Sequence, residues 1–430
     1  MQIRIIMLGA AALSLPLLGT AAQQSDQQKN SETLPLQASV SSNQATPLTL
    51  EQAIDLAVRT NPVLRSAAQS VAVAEAVKSQ AGLIVNPEFS ALREGMQKGT
   101  RTQTFQVSQR LELGGKRSAR VDVAERERQL AIQDAAVVQA QLRADVTAAY
   151  FDALIAQERV ELAQASVQVA EKATTAASKR VAAGRISPIE QSRSRVAEAG
   201  ARLELAQAVS ALALAQQALV ALWGRTDTVN LSLQRPAVDV PALPSLDILL
   251  QQLEAGPQLQ RARVQLEREQ AQVRLERSQR VPDVTITVGS QRDDQIGRNQ
   301  AVVGVSVPLP LFNRNQGNVL AALRRTDKAR SDLDVERIRV NRALSEAYQR
   351  TRLAQAEVAS ITSEILPIAQ TTYDAAVTGF EAGKFSFFDV LDAQRTLFQT
   401  RAQYLRALSE SYRSAADIGR YVQLKPGQSQ

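Results

Sequence analysis

The spacing of apolar and polar residues changes twice between residues 48 and 224, and it changes in the same way between residues 247 and 421. Each stretch begins with apolar residues at three-to-four spacing, which predicts a helix; in the first stretch this covers Leu50–Leu83, with Thr49 as its cap. A shorter segment follows in which apolar and polar residues alternate. Helical spacing then resumes. Each stretch is therefore predicted to contain a helix, a strand pair and a long helical hairpin, in that order.

The alternating segments predict two strand pairs. Val284–Val288 and Val303–Val307 place valine or isoleucine on one face and threonine, serine or glycine on the other. The first stretch repeats this pattern more weakly. The predicted strands cover about residues 87–94 and 102–112 in the first stretch and about 282–292 and 300–311 in the second.

The segments after the strands predict very long helices. Residues 117–182 hold neither proline nor glycine, and a helix of that length would reach about 100 Å. The chain then turns near residues 183–188 and returns to Trp223. In the second stretch the turn is predicted near residues 382–387, with Pro367 as a kink or break in the helix before it.

Matching residues indicate that the two stretches are tandem copies of one unit. Ala183–Ser187 recurs as Ala382–Ser386, and Leu111 recurs as Leu309. The offset stays between 195 and 199 residues, and coincidence would not preserve such a register. The predicted organisation is a signal peptide at 1–22, a polar leader at 23–47, copy 1 at 48–224, a linker at 225–246, copy 2 at 247–421 and a tail at 422–430.

Composition excludes several classes of function. Only 4% of the 430 residues are aromatic, which favours long helices over a large conventional core. The chain holds no cysteine and no histidine, which excludes thiol chemistry, Cys/His zinc sites and histidine-based catalysis. Its net charge of +7 is spread without a basic cluster, so we expect no nucleic-acid binding. We expect neither an enzyme nor a cofactor.

The N-terminus predicts export. Arg4, an apolar run through Leu18 and the small residues Gly19–Ala22 are typical of a signal peptide. Since the mature chain would not begin with cysteine, we expect no N-terminal lipid. We identify no later run of about 18 uncharged apolar residues, so the sequence predicts no transmembrane helix. Any insertion into a membrane must then use strands.

A strand pair with one apolar face fits a membrane barrel with lipid outside and water inside. Four strands cannot close a barrel, because the smallest barrels have about eight. Other subunits must therefore complete it: two chains would give eight strands and three would give twelve, and periodicity leaves both open. A soluble coiled coil with a small sheet is the alternative reading of the same pattern.

Motifs across nearly the whole mature chain carry a family resemblance. They are Leu50–Ala53 with Asn61-Pro62, Leu113–Arg117, Pro308–Asn318 and Glu381–Gln394. They resemble the TolC-like outer-membrane efflux proteins, and among them the CzcC-like branch of cobalt-zinc-cadmium resistance. The resemblance implies a mainly α fold with a transmembrane β-barrel contribution, in which a homotrimer forms a twelve-stranded barrel on a periplasmic α-helical barrel.

The resemblance also implies partners and functional residues. The partners are a periplasmic adaptor (membrane fusion protein) and an inner-membrane pump of the resistance-nodulation-division type. An acidic ring would narrow the periplasmic aperture at Asp389 and Asp392 and attract cations. The helix turns would dock the adaptor, and they map onto Gly184, Arg185, Ser187, Gly383, Lys384 and Ser386.

The predicted function is passive conduction of divalent heavy-metal cations from pump and adaptor across the outer membrane. With three methionines and neither histidine nor cysteine, the duct offers no soft metal site, so selection would take place in the pump. The alternatives are a drug or type I secretion duct of the same fold, a periplasmic adaptor and a coiled-coil scaffold. An adaptor would show one hairpin flanked by β-rich domains, whereas this sequence shows two hairpins.

Overall fold

The computed structural model describes residues 47–95, 97, 99–227, 231–235, 243–382 and 384–422. The predicted signal peptide lies outside the described residues. So do all but the last residue of the leader, much of the linker, Gly383 and all but the first residue of the tail.

The two copies contain the same elements in the same order, except that the long helix of copy 2 is interrupted by a π-helical turn. Copy 1 consists of α1 (Leu50–Thr60), α2 (Pro62–Ala81), β1 (Glu88–Glu94), β2 (Thr102–Leu111), α3 (Lys116–Ala182) and α4 (Pro188–Ala221). Copy 2 consists of α5 (Leu246–Leu253), α6 (Pro257–Ser278), β3 (Val284–Asp293), β4 (Arg298–Ser306), α7 (Gln316–Ser360), a π-helical turn (Ile361–Ile365), α8 (Leu366–Glu381) and α9 (Phe387–Gly419).

The predicted helix over Leu50–Leu83 is two helices, so that prediction was wrong. Thr49 does cap α1, with a capping box to Gln52. Pro62 disfavours helical geometry at the residue before it, and Asn61 accordingly is extended, with φ −61° and ψ 125°. The Asn61 side chain then caps α2 by accepting the Val63 N–H at 2.7 Å.

The four strands form one antiparallel sheet in the order β1-β2-β3-β4, so that β2 and β3 join the copies. The predicted strand over 300–311 ends at Ser306. Pro308 and Pro310 lack the N–H that a strand ladder needs, which explains the early end. Pro282 also lacks this N–H, and β3 begins after it, at Val284.

The long helices of the two copies differ in continuity. α3 runs unbroken for 67 residues, about 100 Å at 1.5 Å per residue. In copy 2 the helix passes from α7 into the π-helical turn before α8, and Pro367 lies in the first turn of α8. The interruption thus lies immediately before the proline at which the sequence predicts a kink or break.

One helix of the described residues, α4, is long and apolar enough to cross a membrane by length and composition alone. Residues 205–222 carry no charge, so the expectation that no such run exists was wrong. Interspersed glutamine and serine made this run look polar in the sequence. In the structure α4 packs along α3, and only 22% of its most apolar 18-residue stretch is buried.

Each copy has a small core where its two opening helices meet its long helix. In copy 1, Ala53 and Ala57 of α1 pack with Val146 and Tyr150 of α3. The Tyr150 hydroxyl lies 2.8 Å from the Leu48 carbonyl and 2.5 Å from the Gln234 carbonyl, and burial raises the pKa of Tyr150 to about 12. In copy 2 the equivalent core contains Leu249, Leu253, Val340 and Leu344.

The copies also meet along α3, which packs against α6 and α9; we call this contact the internal seam. The Phe151 ring of α3 stacks on Tyr412 of α9 with ring centroids 4.1 Å apart. Among the described residues, six ion pairs cross the seam: Asp122–Arg274, Arg126–Glu267, Glu127–Arg268, Asp134–Arg261, Asp145–Arg420 and Asp152–Arg413.

Candidate functional site

The two faces of the sheet differ in chemistry. Side chains alternate along a strand, so the pairing register fixes which residues share a face. One row across the four strands is Phe89, Val107, Val288 and Val303. The adjacent row, on the opposite face, is Glu88, Ser108, Thr287 and Gly304, where the Ser108 and Thr287 hydroxyls lie 2.9 Å apart in a hydrogen bond.

The apolar face of the sheet is open to solvent in a single chain. Val303 is 76% exposed and Phe89 is 70% exposed. Contiguous apolar surface of this kind marks a contact with protein or lipid. The large exposed apolar side chains of this face are Phe89, Phe105, Val107, Leu111, Ile286, Val288, Val303 and Val305.

The sheet is open at both edges. Within the described part of the chain, β1 pairs only with β2 and β4 pairs only with β3. Each edge strand therefore presents a row of backbone N–H and C=O groups that another strand can pair with.

The first helix-to-helix turn, between α3 and α4, ends α3 in a Schellman motif. Gly184 has φ 68°, a conformation that favours glycine. The Arg185 N–H donates to the Arg180 carbonyl at 2.9 Å. Ser187 caps α4 by accepting the Ile189 N–H at 3.3 Å. Gly184, Arg185 and Ser187 are all exposed.

The second helix-to-helix turn, between α8 and α9, repeats the bond between the equivalent residues of the first. The Lys384 and Phe385 N–H groups both donate to the Gly379 carbonyl, at 2.8 and 3.2 Å. Ser386 and Asp389 form a capping box: the Ser386 N–H donates to the Asp389 carboxylate at 2.7 Å, and the Asp389 N–H donates to the Ser386 hydroxyl at 3.3 Å. Lys384 and Ser386 are exposed.

Asp389 and Asp392 lie in one groove between α8 and α9. The groove has a volume of about 800 Å³ and is lined by apolar side chains such as Ile368 and Phe385 as well as by the carboxylates of Glu364, Asp389 and Asp392. The structure thus brings the two predicted aperture residues together. It also gives Asp389 a helix-capping role that the sequence analysis missed, although the Ser386-x-x-Asp389 spacing carries that signal.

Arginines of copy 1 lie over aromatic rings of copy 2 beside the turns. The Arg180 guanidinium is 4.8 Å from the Phe380 ring centroid, and that of Arg193 is 5.9 Å from the Phe388 centroid. Each such contact contributes about 0.5–1 kcal/mol at exposed sites. Together they tie the two helix turns of one chain to each other. They join residues about 200 positions apart, so periodicity does not predict them.

Gly379 is a further residue that the sequence analysis missed. A Cβ at this position would lie 2.1 Å from the Phe385 ring, so only glycine lets that ring lie against α8. A glycine inside a helical pattern, near its end, was the available signal. Within the described ranges, no group of three or more acidic side chains is placed to hold a metal ion.

The sequence model of one protein family matches both copies of the repeated unit. The outer membrane efflux protein family covers residues 53–225 and 249–421. The chain belongs to the outer membrane efflux protein family. The family is one of efflux channels, and the resemblance that the motifs carry is confirmed at this level.

Relatives of this outer membrane efflux protein support the same conclusion. It is 45% identical to the cobalt-zinc-cadmium resistance protein CzcC of Cupriavidus metallidurans, over 88% of this chain and 90% of that protein. It is 28% identical to the nickel-cobalt-cadmium resistance protein NccC of Alcaligenes xylosoxydans, over 68% and 67%. The crystal structure of the outer membrane protein VceC from Vibrio cholerae matches with a TM-score of 0.71 at 19% identity, over 87% and 96%. The predicted fold class, mainly helical with a strand sheet, is confirmed.

Proposed function

We propose that the chain is one subunit of a homotrimeric exit duct in the bacterial outer membrane. It conducts divalent heavy-metal cations passively from a periplasmic adaptor and a resistance-nodulation-division pump to the exterior. The observation that carries the proposal is the sheet, with its exposed apolar face, its polar face and its two open edges. The duct is not an enzyme and needs no cofactor.

The open edges support closure by other copies of the chain. If β4 of one subunit pairs with β1 of the next subunit, the apolar faces point to lipid and the polar faces to water. Two subunits would give eight strands, and the interior of an eight-stranded barrel is just wide enough for side chains to fill. Three subunits give twelve strands and a wider interior, which favours the trimer for a duct. The length of α3, about 100 Å, gives each subunit a long periplasmic portion.

The exposed turn residues support a docking role. We assign adaptor docking to Gly184, Arg185, Ser187, Gly383, Lys384 and Ser386. We assign the periplasmic aperture to Asp389 and Asp392, because carboxylates repeated around a symmetry axis attract cations. Asp389 serves both as a helix cap and as a member of the acidic ring.

The cargo assignment is supported by the relatives. CzcC and NccC are named for resistance to cobalt, zinc, cadmium and nickel, and identity to CzcC extends over most of both chains. A drug or type I secretion duct of the same fold is the alternative. Export by a cleaved signal peptide at 1–22, without lipidation, completes the proposal.

Deletion of the gene tests the cargo. In a strain without a redundant duct, we expect sensitivity to zinc, cobalt and cadmium, with tolerance to a drug panel unchanged. Restoration by the wild-type gene is the control. Unchanged metal tolerance would overturn the cargo assignment, and drug sensitivity instead would favour the alternative duct. Recovery of the chain in the soluble periplasmic fraction would overturn the duct itself and favour an adaptor or scaffold.

Single-channel recording in lipid bilayers tests the aperture. The double substitution Asp389→Asn and Asp392→Asn removes two charges per subunit while keeping polar groups at the cap. We expect a reduced preference for cations over anions. Asp374→Asn, an exposed acid of α8 outside the groove, is the matched control. Equal ion preference in all variants would reject the acidic ring.

A further inference from the structure

The apolar face of the sheet carries charged side chains in one place only. Alternate residues of each strand share this face, and the pairing register identifies them across all four strands. Of these residues within β1 to β4, only Arg93 and Arg292 are charged. Both belong to one row across the sheet, which we call the rim row: Arg93, Gln103, Arg292 and Asn299.

The rim row lies at the end of the sheet that is remote from the long helices. The chain passes from β1 to β2 and from β3 to β4 just beyond this row, whereas β2 and β4 lead into α3 and α7 at the opposite end. In the proposed duct the long helices are periplasmic. The rim row is therefore on the exterior side of the membrane.

The height of the rim row matches the edge of the lipid-facing band. Arg292 lies eight residues beyond Val284 along β3, which is about 27 Å at about 3.4 Å per residue. A strand tilt of about 40° reduces this length to a height of about 20 Å, and the apolar band of a membrane barrel is about 25 Å tall. The two guanidiniums thus lie at the level of the lipid head groups of the outer leaflet.

The polar face has a different charge pattern at the same end of the sheet. Its outermost row contains Glu94, Asp293 and Arg298, so that acids and a base lie side by side. Elsewhere on that face Glu88 and Arg110 again supply both signs. The apolar face has two arginines and no acid within its strands, so its charge is not compensated by the sheet itself.

Both arginines of the rim row are available to a ligand. Arg93 and Arg292 are exposed, and within the described ranges neither forms an ion pair. The ladder continues for one more pair, since the Asp294 N–H donates to the Arg101 carbonyl at 3.0 Å, and that pair adds one charge of each sign. A guanidinium on a lipid face is tolerated near the interface, and its planar fork binds phosphate with two parallel hydrogen bonds.

The spacing within the rim row indicates more than one phosphate. Arg93 and Arg292 lie two strands apart, which is about 10 Å, so each can bind its own phosphate on a single headgroup. Gln103 lies between them and Asn299 lies beside Arg292. Side-chain amides both donate and accept hydrogen bonds, which suits the hydroxyl and amide groups of a sugar.

We propose that the rim row binds the phosphorylated sugar headgroup of a glycolipid in the outer leaflet. Arg93 and Arg292 each hold a phosphate, and the amides of Gln103 and Asn299 bind the sugar between the phosphates. The inference rests on the proposed duct and names the lipid that its exterior rim recognises. The site lies on the lipid side of the sheet, so it fixes the depth of the barrel in the membrane and takes no part in conduction.

Lipid titration of the purified protein tests the rim row. The trimer, delipidated in an uncharged detergent, is titrated with diphosphoryl lipid A, monophosphoryl lipid A or phosphatidylethanolamine, and bound lipid is counted by native mass spectrometry. We expect affinity to fall in that order. Arg93→Gln combined with Arg292→Gln should weaken binding of the diphosphoryl lipid about tenfold, as the loss of a charge-assisted hydrogen bond would.

A matched control keeps the change in net charge constant. Arg110→Gln combined with Arg298→Gln removes two exposed guanidiniums from the polar face, and it should bind the diphosphoryl lipid as wild type does. Should the glutamine variant of the rim row form no trimer, Arg93→Lys combined with Arg292→Lys replaces it. That variant keeps both charges without the planar fork, and its preference for the second phosphate should be weaker than in wild type.

The outcomes separate this inference from the proposed function. Loss of the diphosphoryl preference in the rim variant alone supports the site. Equal affinities in wild type, rim variant and control, or equal losses in the two variants, overturn the site and leave the duct in place. Displacement of the lipid by inorganic phosphate at equal concentration overturns the assignment to a lipid. A chain that is not trimeric by the same mass measurement overturns the proposed function as well.

Discussion

The long helices α3 and α7 descend from the same repeated unit but lie in different surroundings. Both bury the residues that face their own opening helices, such as Val146 in copy 1 and Leu344 in copy 2. They differ where α3 faces copy 2: α3 meets charged and aromatic partners across the internal seam, whereas the equivalent face of α7 is exposed at residues such as Leu353. A core position is fixed by packing within one copy, whereas a surface position is free to follow its partner. The duplication thus kept the scaffold and changed the contacts.

The two helices also differ by one residue. The offset between copies is 198 positions as far as Val358 and 199 at the second helix turn, so copy 2 has one extra residue between them. The π-helical turn over Ile361–Ile365 lies in that interval. A π turn accommodates an inserted residue inside a helix. The residues of α8 therefore keep the faces that their counterparts have in α3.

The largest expected effect is on the aromatic stack of the internal seam. Phe151→Ala removes a fully buried ring, and we expect the free energy of unfolding to fall by about 3–5 kcal/mol. Gln349→Ala, the equivalent change on α7, should alter it by less than about 0.5 kcal/mol in the isolated chain. Thermal unfolding in detergent, followed by circular dichroism, compares the two. Equal losses would show that the copies do not differ in surroundings.

The next effect concerns the tyrosines at equivalent positions. Tyr150→Phe removes a hydroxyl that bonds to backbone carbonyls, at a cost of about 1–3 kcal/mol. Within the described residues the Tyr348 hydroxyl makes no such bond, so Tyr348→Phe should cost less. Because the pKa of Tyr150 is raised to about 12, its contribution is full below pH 10 and is lost as the pH rises towards 12. Stability measured between pH 9 and 12 should fall more steeply in wild type than in Tyr150→Phe.

A smaller effect is expected at the contact of α2 with α3. Arg128, with Lys78 and Gln129, lowers the pKa of Glu125 to about 2. A lowered pKa contributes stability above pH 4.5 that is lost as the pH falls towards 2. Glu125→Gln should cost about 1 kcal/mol or less at pH 7 and flatten the acid limb of stability. Leu323→Gln, at the equivalent position of copy 2, should leave that limb unchanged.

The smallest effect is expected from removing the extra residue of copy 2. Deletion of Ser363 gives copy 2 the same length as copy 1, so the π turn becomes ordinary α-helix and α8 keeps its phase. We expect the variant to fold, to form trimers and to melt within a few degrees of wild type. Deletion of Asn341, in the middle of α7, should instead rotate the residues between it and the π turn, such as the buried Leu344, and destabilise the chain. Similar losses in both deletions would refute the inserted-residue interpretation.

Much of the fold follows from residue patterns, because each pattern occurs in both copies of the repeated unit. The alternating Val284–Val288 predicts β3, and the absence of proline and glycine from residues 117–182 predicts α3. The break at Asn61 was missed because alanine and valine keep helical spacing on both sides of it, although the following proline marks a helix start. The π turn is visible in sequence only when the two copies are compared.

The candidate site was less predictable than the fold. The glycine turn at Gly184 follows from backbone geometry alone, which a sequence pattern reports well. The contacts of Arg180 and Arg193 with aromatic rings depend on how two distant hairpins pack, and no local pattern encodes that. The roles of Asp389 and Asp392 at an aperture depend on neighbouring subunits, so they remain predictions.

The sheet of a single chain has a consequence for how the protein reaches its membrane. Exposed valine and phenylalanine side chains, together with two unpaired strand edges, are the features that make a polypeptide aggregate in water. For the proposed trimer, a single chain must therefore be shielded until its sheet pairs with the sheets of other subunits. Biogenesis of this protein is a competition between ordered assembly and aggregation, and β1 and β4 are the strands on which that competition is decided.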